Sequence, residues 1–215
     1  MMIEEGSDQD IILSIARQVM WEVSERLAAA NQKKIILKLG PQVIYEVDRN
    51  RTYFNTLMRD PSSKHLTGDE RIALRAYIAH ETRYGNCGEH AELAYVLLRR
   101  KQKSNHEVAV TSLKNDDHAF VTIFTSQDER IIVDPWKGCV NTISANDVDK
   151  WCDYQFNSRM DGRDLVEELK KKYPTAIQAI DYHIRDVYMS LEKHEISFQE
   201  FTEVMLRYPG FRIYG

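Results

Sequence analysis

The sequence predicts an α+β fold in which one apolar helix packs on a small antiparallel sheet and further helices wrap that pair from both ends. Three observations carry this reading. Apolar residues recur at helical spacing over long stretches at both ends of the chain. Three short runs in the middle, Glu107 to Leu113, His118 to Phe124 and Arg130 to Asp134, are rich in Val, Ile, Thr and Phe and are bounded by polar turns. The 215 residues hold five prolines and nine glycines, so there is little room for linkers, and no solenoid-length repeat occurs. Residues 1–215 therefore form one domain, with a core segment at 68–138 and mainly helical surrounds at 1–67 and 139–215.

The elements follow in order. Ile11, Ile12, Ile15, Ala16, Val19, Met20, Val23 and Leu27 mark an amphipathic helix from Gln9 to Ala30. Lys34 to Val47 reads as a hairpin or as two helix fragments around Gly40-Pro41. Gly68-Asp69-Glu70 opens a helix running to Ala79, with His80 facing its last carbonyls. After Gly85-Asn86, residues Cys87, Ala91, Ala94 and Leu98, widened by Leu93 and Leu97, form the apolar stripe of the central helix. Beyond the three strands, Asp147 to Phe156, Arg163 to Tyr173, Ala176 to Leu191 and Phe198 to Leu206 each fit helices.

Composition narrows the function. The formal net charge of −4 argues against a general nucleic-acid binder, and no stretch is apolar enough to span a membrane. Met1 to Gly6 is acidic where a signal peptide would be basic, which points to a cytoplasmic protein or one delivered into a host cell without a cleaved leader. Three cysteines cannot all pair, which fits reduced thiols. Neither a CxxC pair nor an HExxH helix occurs, so the reading assigns no metal and no cofactor.

The chemistry concentrates in the core segment. Cys87 opens the central helix, where unpaired N–H groups and the helix dipole favour a thiolate and where its own N–H can face a developing oxyanion. Asn86 is the expected N-cap, Gly85 lets the chain turn sharply before it, and Gly88 leaves the approach to the thiol open. Glu89 and Glu92 oppose a thiolate, and a neighbouring imidazolium has to outweigh them. A hairpin centred on Ser126 sets Phe124 opposite Asp128, Thr122 opposite Arg130 and His118 opposite Asp134. Opposed residues share a face with Cβ atoms roughly 5 Å apart, within reach of an imidazole–carboxylate hydrogen bond. A one-residue slip would separate them. The cleft is then expected between the start of the Cys87 helix and the sheet edge carrying His118 and Asp134, with Trp136 either walling it, shielding the His–Asp bond or filling the core.

Gly85-Asn86-Cys87 at a helix start, His118-Ala119-Phe120 opening a strand and Val133-Asp134-Pro135-Trp136 closing the next resemble the transglutaminase-like branch of the papain-like cysteine hydrolases. The resemblance covers Tyr77 to Gly138, and Phe120 departs from the Trp that many members carry. It implies Cys87 as nucleophile, His118 as general base and acid, and Asp134 as the group orienting the imidazole. Members include peptidases, deamidases, protein transglutaminases and peptide N-glycanases, and several bacterial effector toxins are similar. The implied function is a cysteine protease or glutamine deamidase acting on a protein or peptide substrate. Tyr84 and Asn86 are the candidates for an oxyanion side chain.

Two rivals to this assignment are local. His90, one turn after Cys87, leans toward the thiol and is a second candidate base, or else a residue bordering the cleft with Gly88 and Trp136. From a different class, the chain reads as a non-enzymatic helical adaptor that keeps a degenerate core of this kind. His65, His106, His183 and His194 show no chemistry in sequence.

Overall fold

In the computed structural model, which describes residues 8–191 apart from 31, 33, 37–41, 102 and 127, apolar periodicity becomes helix along most of the chain. Helix α1 spans Asp8–Arg26 and buries Ile12, Ala16, Val19, Met20 and Val23. It is followed by a two-residue strand β1 (Ala28–Ala29). Of the segment read as a hairpin or two helix fragments, residues 34–36 are helical and Gln42 begins helix α2 (Gln42–Arg59); residues 37–41 lie outside the described residues. A short 3-10 turn at Pro61–His65 leads to α3 (Gly68–Thr82).

Helix α3 starts at a full capping box. The Thr67 hydroxyl accepts from Glu70 N–H and the Glu70 carboxylate accepts from Thr67 N–H, satisfying two of the donors that every helix start leaves unpaired. It ends at Arg83, whose left-handed backbone (φ 66°) turns the chain into β2 (Tyr84–Gly85). Strand β2 pairs in parallel with β1, which ties the end of α1 to the start of the central helix α4 (Cys87–Lys101).

Strands β3 (Lys103–Leu113), β4 (Ala119–Phe124), β5 (Glu129–Asp134), β6 (Cys139–Ser144) and β7 (Cys152–Asp161) form one antiparallel sheet in the order β6-β5-β4-β3-β7. The helices α5 (Ala145–Trp151), α6 (Leu165–Lys172) and α7 (Pro174–Leu191) complete the described chain. The main core gathers α1, α3 and α4 on one face of the sheet through Val108, Val110, Val121, Ile123, Ile131 and Val133. A second core joins Phe54 of α2, Leu74 and Ile78 of α3 and Leu169 of α6 to Ile177, Ile180 and Ile184 of α7. No helix among the described residues is long and apolar enough to cross a membrane.

Two expectations about these elements require correction. The helix read over Asp147 to Phe156 ends at Trp151, and Cys152 onward is strand β7. Residues 139–161 therefore hold two strands and one helix. Cys152, Tyr154 and Phe156 open a period-2 signal, which pairing with β3 satisfies up to a bulge at Phe156 (φ 56°), beyond which Met160 enters the main core instead of the Phe120 and Val148 cluster that Cys152 and Tyr154 join. His80 meets Arg26 at 3.2 Å and Glu81 at 3.0 Å instead of helix carbonyls, because α3 continues past it. The helix expected over Phe198 to Leu206, like His194, lies outside the described residues.

The hairpin register also differs. Phe124 pairs with Arg130 and Val121 with Val133, so the ladder runs two residues later than a turn centred on Ser126 requires. The Ser126 hydroxyl accepts from the N–H groups of Asp128 and Glu129, at 3.3 and 3.0 Å, which withdraws both from the ladder and widens the loop. A shift of two preserves the parity of the strands. His118 and Asp134 remain on one face as a diagonal pair.

Candidate active site

The thiol, imidazole and carboxylate meet where α4 begins and where β4 and β5 have their ends. His118 immediately precedes β4, with its carbonyl still accepting from Leu113 N–H at 3.1 Å, and Asp134 closes β5. These are inner strands, so the site lies at strand ends and not along a sheet edge, which is formed by β6 and β7. Position explains the meeting. Val121, Ile123, Ile131 and Val133 face α4, whereas Phe120 and Ile132, of the same parity as His118 and Asp134, pack on Val148 of α5. Only beyond the end of the ladder can that parity reach the helix start.

His118 Nε2 lies 2.6 Å from Asp134 Oδ2, and both residues are buried. The other Asp134 oxygen accepts from Lys137 N–H at 3.0 Å, and Gly138 N–H returns to Asp134 O at 2.9 Å. Gly138 makes this turn with φ 72°, which glycine adopts without the penalty of a side chain. The turn is anchored from outside: the Ser24 hydroxyl donates to Pro135 O at 3.0 Å, and Gln32 Nε2 to Trp136 O at 2.7 Å. With Nε2 engaged, Nδ1 is the nitrogen left for Cys87. Burial opposes charge on His118, but hydrogen bonds to Asp134 and Cys87 together with their negative charge raise its pKa to about 9. The imidazolium needed to offset nearby carboxylates is thereby favoured.

Those carboxylates are themselves compensated. Arg51 grips Glu89 with two hydrogen bonds of 2.6 and 2.8 Å. Burial alone would raise Glu89, yet the Arg51 charge and hydrogen bonds and the N–H groups of Asn86 and Glu89 bring it down to about 2. Burial holds Glu92 up at about 8 despite the Arg75 guanidinium it touches. Neither residue presents an uncompensated charge to the thiol.

The expected neighbours of Cys87 divide. Asn86 does precede the helix, but its Oδ1 is buried with no hydrogen bond among the described residues. The cap is made from the other side, by Glu89 Oε2 accepting from Asn86 N–H at 2.9 Å, an Asn-x-x-Glu spacing legible in the sequence. Tyr84 packs with the Val43, Ile44 and Val47 cluster of α2 and, with Gly88, lines a cavity of about 270 Å³ beside Arg51 and Glu89. A Cβ added at Gly88 would meet nothing within 4 Å.

Gly85 acts by closeness, not by a special turn. It lies in β2, and a Cβ there would stand 2.7 Å from Glu89 Cβ and 3.0 Å from Leu27 Cδ2. Gly85→Ala is expected to lower stability by about 1–3 kcal/mol, since both neighbours are held in place, and to slow alkylation of Cys87. Chemical denaturation and timed alkylation read the two effects.

His90 is not placed as a base. It is 1% exposed, with Nδ1 2.8 Å from Asn86 O and Nε2 3.1 Å from Leu27 O. Burial lowers its pKa although both carbonyls favour the charged ring. Its role is to tie the Cys87 turn to the end of α1, and it also lines a second cavity, described below. Trp136 combines two of its expected roles: it packs against Cys87 and Ala29, and its ring centroid lies 5.4 Å from that of His118. Cys87 itself is 9% exposed, with Sγ 3.7 Å from Asp117 O. All three cysteines are free thiols.

Sequence reasoning missed the supports that hold these groups, namely Arg51, Ser24, Gln32 and the N–H of Lys137. The contacts of Arg51, Ser24 and Gln32 span 38 to 111 residues, beyond any local pattern, whereas that of Lys137 spans three. Compared with known proteins, the chain matches no family model and no curated sequence.

Proposed function

We propose that this protein is a cysteine-dependent hydrolase of amide bonds in a protein or peptide substrate, working as a protease or glutamine deamidase through a thioester. The single observation that supports the reading is the placement of the Cys87 thiol, 3.7 Å from the carbonyl of Asp117, beside the buried His118–Asp134 hydrogen bond of 2.6 Å. In this mechanism His118 receives the Cys87 proton and Cys87 attacks the amide carbonyl. Backbone N–H groups at the start of α4 receive the oxyanion, and His118 protonates the departing amine or ammonia. Water then releases the acyl group with His118 acting as base. A second amine in place of water would give transglutamination by the same cycle.

The 9% exposure of Cys87 favours a second reading, a non-enzymatic adaptor with an inert thiol. Intact-mass spectrometry of lysate proteins incubated with wild type or with Cys87→Ala separates the two. Fragments formed only by wild type are expected from a protease, and a gain of about one mass unit at glutamine from a deamidase. No Cys87-dependent change, with slow alkylation of Cys87 by iodoacetamide near neutral pH, would sustain the adaptor.

A further inference from the structure

A cavity of about 240 Å³ opens between α1 and the turn that follows Asp134, roomy enough for a side chain and not only a water. Trp136 and Ala29 line it and also pack against Cys87, so its inner end adjoins the thiol. Its outer wall includes Trp21, which is 63% exposed and lies off the buried stripe of α1. Core packing therefore does not account for a Trp at this position. Lys34 and Lys137 also line the cavity, and among the described residues no Asp or Glu does, although the whole chain carries a formal net charge of −4. Aromatic walls with a few placed charges are the composition of a recognition site, and these charges select an acidic occupant.

We propose that this groove is the specificity subsite of the thiol centre, accepting an apolar side chain flanked by an acidic residue in an extended segment of the substrate protein. The inference rests on the amide-hydrolase reading, for which the groove names a substrate class. The apolar side chain lies between Trp21 and Trp136, and the neighbouring carboxylate meets Lys34 and Lys137.

The test uses the full chain and peptidyl acyloxymethyl ketones that carry Leu beside Glu, Gln or Lys, with the rate of Cys87 labelling followed by intact mass. The Glu probe is expected to label about fivefold faster than the Lys probe, the scale of exposed charge pairs. Exchanging both lysines (K34E/K137E) should invert that ratio, a comparison made within one variant and so independent of its basal reactivity. Trp21→Ala should slow all Leu-bearing probes together. Equal labelling by the three probes, or a ratio unmoved by the lysine exchange, overturns the subsite alone. Failure of every peptidyl probe to label Cys87 overturns the hydrolase reading and the subsite with it.

Discussion

His118→Ala is expected to reduce Cys87-dependent turnover by ~10²–10⁴-fold, the range that positioned acid–base groups supply. The variant also leaves Asp134 buried with, among the described residues, only the Lys137 N–H hydrogen-bonded to its carboxylate, so a stability loss of about 1–3 kcal/mol accompanies it. Asp134→Asn separates the two effects, because it keeps the shape and the Lys137 hydrogen bond while removing the charge that favours the imidazolium. It should lose activity with a smaller change in stability. The pH dependence has a definite sign. The folded-state pKa of His118, about 9, lies above its ordinary value near 6.5. Its contribution to stability is thus complete below about 6.5 and is lost as pH rises through about 9. Thermal melts of wild type should fall over that window, and those of His118→Ala should lack this component. A Cys87-dependent rate undiminished in His118→Ala would remove the imidazole from the mechanism.

Arg99→Met is expected to be among the most destabilising single changes in the chain. Arg99 is 2% exposed and joins three elements: Nη1 donates to Asp69 at the start of α3 (2.5 Å) and Nη2 to Asp161 at the end of β7 (2.6 Å), from within α4. It also donates to the Tyr95 hydroxyl, which in turn donates to Asp69. Removing one member of a buried ionic set leaves the others without compensation, at about 3–5 kcal/mol when all are buried. The carboxylates here are 28% and 29% exposed, and solvent screening brings the expected loss to about 2–4 kcal/mol. For a chain of this size that corresponds to a fall in melting temperature of roughly 4–16 °C. Arg99→Lys should recover only part of it, since one ammonium cannot span two carboxylates as a planar guanidinium does. Asp161 gives the set a pH dependence opposite in sign to that of His118. Burial alone would raise its pKa, but the Arg99 hydrogen bond and charge lower it, so its contribution is present above the usual carboxylate range and is lost as pH falls into it. Differential scanning calorimetry of the two variants checks the whole set.

How far the sequence could be read depended on the range of the interaction concerned. The 3.6 period marked α1 and α4, Gly68-Asp69-Glu70 marked the start of α3, and the period-2 parity placed His118 and Asp134 on one face. These are consequences of backbone geometry within a few residues. The same locality explains the misses. Asp147 to Phe156 carries a helix start followed by a strand alternation, and the adjoining edge of β3 decided where one gave way to the other.

By itself, then, the sequence determined the α+β class, the helix that begins at Cys87 and the order of thiol, imidazole and carboxylate along the chain. Tertiary structure decided the register that makes His118 and Asp134 a diagonal pair, and the burial that turned His90 from a candidate base into a tether. It also decided the pairing of Arg51 with Glu89 that keeps a carboxylate beside the thiol from opposing it. Parity and period repeat along a chain, whereas burial, electrostatic compensation and register belong to contacts between distant segments and exist only once those segments have packed.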